Sequence, residues 1–536
     1  MRPRELTRFD GQVYDVLVVG GGIYGLACAY EAASRGLRVA LIEASDFGSG
    51  ATFNHQKTGH GGLRSLSTGR LDRARESIRE RRALARIAPW FLRPLPFLVG
   101  TYRSVTKNRL ALRAAFKVDA WLGRGRNEGV EPELHLPVPR LVSKAATLRL
   151  FPGIRQDGLT GGAQWYDYQM VEADRLTLSF AAAADRAGAD LANYAEAIDI
   201  LRDGGKVAGV IARDVLTDRR FEIRARATLN AAGSRAGDVM RLFGVTRPFP
   251  LLKAMNLVTS KRASDMALAA PGRDGRMLTL VPWRGRALVG TSQSAGVVQP
   301  GDLSVRSDEV DALIDDANVA FPSLKLSRGD VTLVHRGVVA ASVDKSGRPD
   351  LKPAAEIIDH GNGAMTVVGV KFTTARGVAE RTIDAVGRTL QRRLRPSRTA
   401  MTPLPGAAIA DHEALAIETA RALHIDVPLP VIQHLIRVYA EAAADIIRLI
   451  HERPELGAPL SAGSATIQAE VVYTIRREMA LKLSDVLIRR TGLGSAAEPP
   501  ADAVRIAARI AQVELGWDDA RTAQEIAEVT RFYAID

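Results

Sequence analysis

The 536-residue sequence predicts an α/β fold in three parts: a Rossmann-like domain on a parallel sheet, a second sheet of antiparallel strands, and an all-helical C-terminal domain. Three observations predict it. A glycine-punctuated strand-helix-strand unit opens the chain, short strand-like runs cluster through its middle, and helical periodicity alone remains beyond Pro396.

The opening unit carries the most information. The apolar β-rich run Val16 to Val19 ends in Gly20-x-Gly22-x-x-Gly25, a small-residue helix spans Leu26 to Ser34, and a second strand, Val39 to Ile42, closes on Glu43. Gly20 suits a tight turn, Gly22 lets backbone approach a pyrophosphate, and Gly25 lets helix and strand pack closely. The helix N-terminus offers N–H groups and a positive dipole end to phosphate, and a carboxylate at Glu43 can bind ribose hydroxyls. In register, these parts predict dinucleotide binding.

Further along, Asp174 to Arg186 reads as an amphipathic helix, followed by strands at Asp190 to Ala197 and Val207 to Arg213. Ala227 to Leu229 then runs into the turn Asn230-Ala-Ala-Gly233. Leu251 to Ser260, Met277 to Pro282 and Ala287 to Gly290 read as strands of the separate sheet. Thr366 to Gly369 is another strand, leading through Lys371-Phe372-Thr373-Thr374 into a helix expected to reach about Leu394. The C-terminal part begins near Met401, with single helices expected over Val431 to Leu449 and Ala469 to Arg490. In the latter, Met479, Leu483, Val486 and Leu487 share one core face.

Composition narrows the function classes. The balance of 46% hydrophobic and 25% charged residues excludes a disordered chain. A net charge of +13 points to anionic partners, either a phosphorylated substrate or an anionic membrane surface. Nucleic acid is not expected, because the arginines are spread along the chain. The one cysteine, Cys28, excludes an internal disulfide framework and fits a reducing cytoplasmic setting. The first residues lack a secretory h-region, and the longest mainly apolar stretch, Val16 to Tyr30, falls short of a membrane span.

Beyond VVGGGIYG, the chain carries Gly59-His60-Gly61-Gly62-Leu63-Arg64, Val171-Glu-Ala-Asp174-Arg175-Leu176, Val281-Pro282-Trp283, Gly369-x-Lys371-x-Thr373-Thr374-x-Arg376 and Leu404-Pro405-Gly406. With these motifs it resembles the FAD-dependent glycerol-3-phosphate dehydrogenases, which share the D-amino-acid oxidase-type flavoprotein fold. The resemblance implies an FAD-binding domain over residues 12–90, 160–250 and 330–395. It implies a substrate domain over 91–159 and 251–329, and a helical domain over 400–536. FAD would be held by Gly20, Gly22, Ile23, Gly25, Glu43, Ala44 and Thr52 in the first βαβ unit. Gly61, Gly62 and Leu63, then Ala197 and Gly233, and finally Lys371, Phe372, Thr373 and Thr374 would complete its contacts. No metal is implied.

The implied reaction oxidises the secondary alcohol of a polyol phosphate, by default sn-glycerol 3-phosphate to dihydroxyacetone phosphate, by hydride transfer to flavin N5. Electrons would pass to quinone. His60, Arg64, Arg336 and Lys371 are the catalytic candidates, imidazole being the side chain that exchanges protons near neutral pH. Arg64, Arg336, Arg348 and Lys352 are the substrate-binding candidates. The chain departs from the family at Ser65, where members carry tyrosine, and at Val339, where their G-V-R-P places an arginine. Adjacent strand residues face opposite sides, so Arg336 does not simply replace it. These departures keep open another same-fold activity, on a different polyol phosphate, a 2-hydroxy acid or an amine, and a non-catalytic membrane-associated flavoprotein. Aromatics and cations from Pro89 to Leu98, with Arg103 to Trp121 beyond, suit peripheral attachment to the cytoplasmic face of the inner membrane. A homodimer is also open.

Overall fold

The computed structural model describes residues 1–62, 70–103, 109–407, 414, 418–419, 421–422 and 427–536, which include both sheets and most of the helical domain. The first sheet runs β17 (Glu356–Asp359), β18 (Ala364–Val368), β10 (Arg220–Asn230), β1 (Val13–Val19), β2 (Val39–Ile42) and β7 (Asp190–Ala192). Its centre is parallel: β10, β1, β2 and β7 pair in one direction, while β8 (Ala195–Asp203) and β9 (Lys206–Asp214) add an antiparallel flap through β10. Val16, Leu17, Val18 and the whole of β2 are buried, as expected of strands covered on both faces. Helix α1 (Ile23–Ser34) contributes Leu26, Ala27, Cys28, Ala29 and Ala32 to that core, and its small side chains admit close neighbours.

The second sheet runs β16 (Pro349–Leu351), β15 (Val331–Val343), β11 (Leu251–Thr259), β14 (Arg286–Gln293), β13 (Met277–Trp283), β12 (Ala267–Pro271), β4 (Leu92–Tyr102), β6 (Leu159–Met170) and β3 (Thr58–Gly59). β5 (Arg140–Val142) pairs with β6, and β12 lies parallel to β4 in an otherwise antiparallel sheet. This sheet corrects the expected boundaries. β6, placed by sequence at the start of the 160–250 cofactor segment, belongs to this second sheet, as do β15 and β16 from the 330–395 segment. β6 enters that sheet by pairing with β4, β15 by pairing with β11, and β16 by pairing with β15.

Local sequence also ran strands and helices too long. The strand expected over Asp190 to Ala197 is two, split where Tyr194 turns through φ 53°. The helix after Lys371, expected to reach Leu394, ends at Thr389. The single helix expected over Val431 to Leu449 breaks at Ala440, whose φ is 51°, and the one over Ala469 to Arg490 breaks at Met479, φ 53°. Leu483, Val486 and Leu487 pack together within the helical domain, but Met479 joins the core beneath α1 instead. The Pro89 to Leu98 segment is corrected too. Phe91, Leu92, Leu95, Phe97 and Leu98 are buried, so they serve the core of β4 rather than a lipid surface. No described helix is long and apolar enough to cross a membrane.

Candidate active site

The first site is a cradle at the C-terminal end of β1. Gly20 turns at φ 112°, where an added Cβ would lie 2.6 Å from the Ala231 carbonyl oxygen at the end of β10. A Cβ at Gly25 would lie 1.8 Å from the Gly20 carbonyl, so this glycine exists for packing. Gly22 differs: its added Cβ meets only Thr52 Oγ1, at 3.3 Å, leaving room on the outer side. Thr52 Oγ1 accepts from the Ile23 N–H at 3.0 Å and so fixes the first turn of α1, an end where the leading N–H groups of a helix are left for other acceptors. Glu43 accepts from the Gly21 N–H at 2.6 Å and the Ser45 N–H at 2.8 Å, which locks the acid turn to the glycine turn. Burial pushes the Glu43 carboxyl up, and these two donors oppose the rise. Exposed Ala44 follows, beside the start of β8, where the Ala195 N–H donates to the Glu43 carbonyl at 2.8 Å and Ala197 lies two residues on. Gly233 sits at φ 57° just past β10 with open space around it. Glycine backbone, a helix N-terminus and a strand-end carboxylate fit a dinucleotide's pyrophosphate and ribose.

The second site joins distant segments around His60. Its backbone N–H donates to Thr373 Oγ1 at 3.1 Å, and the preceding His55 ring stacks on Phe372, with centroids 5.0 Å apart. The imidazole is half-exposed. Its Nε2 shares a 2.7 Å hydrogen bond with Thr58 Oγ1, and its Nδ1 faces Asp167 Oδ2 at 3.5 Å. Asp167 is buried on β6 and also accepts from the Gly61 N–H at 2.7 Å, the Trp165 indole at 3.2 Å and the Arg81 guanidinium. Burial would raise this carboxyl, but the His60 bond and Arg81 outweigh it and hold the group below its ordinary range. A half-exposed imidazole backed by a buried, charged carboxylate can accept a proton and be stabilised in its charged form. Asp167, Arg81 and Thr58 were missed from sequence. The available signal was an acid two places after Trp165 in the strand Leu159–Met170.

Residues 15–385, most of the chain, match the family described as FAD dependent oxidoreductase. The chain belongs to that family. Residues 397–522 match the C-terminal domain of alpha-glycerophosphate oxidase. The glycerol-3-phosphate dehydrogenase of Synechocystis is 30% identical over 514 residues, 91% of this chain and 90% of that protein. A Mycobacterium leprae protein of the same name is 29% identical, over 97% of this chain and 88% of its own. A glycerol-3-phosphate dehydrogenase from Bacillus halodurans, crystallised with FAD, superimposes with a TM-score of 0.76 at 23% identity, covering 98% and 96% of the two chains, and shares the fold. The cradle described above fits the FAD that defines the family.

Within this flavoprotein, the structure does not gather the remaining sequence candidates at His60. Arg336 is corrected outright: its guanidinium donates to the Leu303 carbonyl at 3.2 Å and the Phe532 carbonyl at 2.9 Å, and lies 4.6 Å from the Phe532 ring. It fastens β15 to the C-terminal helix. Arg348 is exposed in the β15–β16 turn, and Lys352 pairs with Glu356 at 3.2 Å. Val339 shares a strand face with Gly337, whose added Cβ would meet Ala51 and Asn54, so the face of β15 turned towards that loop carries a valine there. Lys371 is exposed at the start of the Phe372–Thr374 turn, its carbonyl accepting from Tyr24 Oη at 3.0 Å. Leu63 and Arg64 lie outside the described residues.

Proposed function

We propose that this chain oxidises the secondary alcohol of a polyol phosphate, by default sn-glycerol 3-phosphate to dihydroxyacetone phosphate, with electrons ending on a quinone. The observation that carries the reading is the His60–Asp167 pair, on a loop tied directly to Thr373 of the second family motif. Glycerol-3-phosphate dehydrogenases similar over nearly the whole chain supply the substrate. Bound FAD supplies the acceptor for hydride leaving the carbinol carbon. His60 takes the hydroxyl proton as that hydride departs, and Asp167 orients the ring and stabilises its positive charge. Arg81 keeps Asp167 ionised. Gly20, Gly22, Glu43 and Thr52 would hold the adenosine and pyrophosphate side, while Lys371 and Thr374 serve the other end.

Arg64 is assigned the substrate phosphate, whose binding energy then orients the reacting carbon. The test compares glycerol 3-phosphate with glycerol in wild type and Arg64→Ala. Glycerol should lose turnover as well as affinity. Arg64→Ala should lower kcat/KM for the phosphate ester roughly tenfold to a hundredfold, as one charge-assisted contact of about 1.5–3 kcal/mol requires. Equal oxidation of both compounds, or an indifferent Arg64→Ala, removes the phosphate site. Val339 favours a second reading in that event, an uncharged substrate end facing β15, to be sought among 2-hydroxy acids and amines.

Lys371 would place positive charge where the reduced cofactor carries negative charge. Lys371→Met should therefore slow anaerobic bleaching by substrate and lower the flavin potential, with FAD still bound. Unchanged bleaching kinetics would take Lys371 out of the site.

A further inference from the structure

The turn that carries Glu43 continues as Ala44-Ser45-Asp46-Phe47-Gly48, and this loop lies on the glycine turn. The Gly48 N–H donates to the Gly21 carbonyl at 2.9 Å, and a Cβ added at Gly21 would stand 2.8 Å from both Glu43 Cβ and the Phe47 ring. The far side of the loop is held by the helical domain. Asp46, fully buried, accepts from Arg490 Nη2 and Nη1, at 2.7 and 2.8 Å, and from Arg489 Nε at 2.7 Å. Both arginines stand on the π-helix Asp485–Arg490, whose i→i+5 winding brings positions 485, 489 and 490 onto one side. Asp485 in turn accepts from Tyr194 Oη at 2.8 Å, and the Tyr194 N–H donates to the Ser45 carbonyl at 2.9 Å. Asn193 bridges Asp46 Oδ1 at 3.1 Å and the Met479 carbonyl at 2.8 Å. Burial alone would push the Asp46 carboxyl up; the two guanidiniums hold it down instead.

We infer that this ion cluster makes the C-terminal helical domain part of the FAD site, with Asp46, Arg489 and Arg490 as positioning residues that hold the Glu43–Thr52 loop against the glycine turn. None of them reaches the cradle itself. Their effect passes through the two hydrogen bonds that Glu43 accepts and the one that Thr52 Oγ1 accepts from the Ile23 N–H. The helical domain is thereby coupled to cofactor affinity, as any group that orders a binding loop must be.

The same interface offers an internal control. Arg175 pairs with the Glu478 carboxylate at 2.6 and 2.7 Å, also between the cofactor domain and the helical domain, but Arg175 stands on the helix Ala173–Arg186 rather than on the loop. Arg490 touches Glu478 only at its backbone carbonyl, at 3.1 and 3.2 Å, which a Gln there keeps. The experiment strips flavin from the purified full-length protein and titrates FAD back, following flavin fluorescence, with melting temperature measured on the same samples. Asp46→Asn and Arg490→Met should weaken FAD binding on the order of tenfold or more, since each removes charge-assisted hydrogen bonds from the loop. Arg490→Lys, which keeps charge but not the fork, should fall between. Glu478→Gln should lower the melting temperature and leave FAD affinity at the wild-type value. Two results overturn the inference: wild-type FAD affinity in Asp46→Asn and Arg490→Met, or an equal loss of affinity in Glu478→Gln, which would tie affinity to general stability. Should the charge-removing variants fail to fold, Tyr194→Phe deletes a single hydroxyl of the cluster. It should weaken FAD in the same direction by a smaller factor, and unchanged affinity there overturns the inference as well.

Discussion

Gly22→Val should purify folded and colourless. The three motif glycines carry different burdens, and that difference makes the experiment decisive. Gly25 cannot take a side chain because the Gly20 carbonyl stands 1.8 Å from where Cβ would be, and Gly20 sits at φ 112° with the Ala231 carbonyl 2.6 Å away. Substitution at either would disturb the fold before it disturbed a ligand. Gly22 has φ −73° and ψ 177°, an extended conformation open to any residue, and its Cβ position meets only Thr52 Oγ1. The protein itself therefore tolerates a side chain there; the pyrophosphate does not. Overpacking costs about 1–3 kcal/mol even where neighbours give way, roughly ten- to a hundredfold in FAD affinity. A cofactor without yielding atoms pushes the loss further. Gly22→Ala should be intermediate. Circular dichroism should match that of wild-type protein stripped of flavin, while the flavin absorbance disappears and activity disappears with it. A Gly22→Val protein with a full complement of FAD would move the pyrophosphate away from this turn.

The cradle was legible in the sequence because its demands are local. Tight turns, close backbone approach and a strand-end acid are properties of a few adjacent residues. The His60 site was half legible. His60 announced itself among glycines, but Asp167 and Arg81 reach it only because β6 pairs with β3 and the helix Leu71–Ile87 packs behind them. Arg336 was misread for the converse reason: the carbonyls that occupy it belong to Leu303 and Phe532, far along the chain. The helix breaks at Ala440 and Met479 were invisible because neither residue favours positive φ. Tertiary packing holds them there, Ala440 against the Gly406 turn and Met479 in the core beneath α1.

His60→Gln should keep its FAD and lose most of its turnover. The ring is half-exposed and contributes little packing, so the substitution leaves the loop's backbone bonds to Thr373 and Asp167 in place. It removes the proposed proton acceptor, and general-base catalysis contributes about 10²–10⁴ in rate. The expected fall is therefore in kcat on that scale, with KM moving less. Asp167→Asn tests the support of that base. It keeps the shape and the Gly61 contact but cancels the charge that faces His60 Nδ1 and Arg81. Leaving Arg81 buried without its counter-charge costs stability of about 3–5 kcal/mol, so melting temperature must be read beside kcat. The double variant separates the two roles. If Asp167 acts on catalysis through His60, then adding Asp167→Asn to His60→Gln lowers stability further but costs no additional turnover. Independent, multiplying losses would give Asp167 a role of its own, and a His60→Gln enzyme as fast as wild type would place the proton acceptor elsewhere.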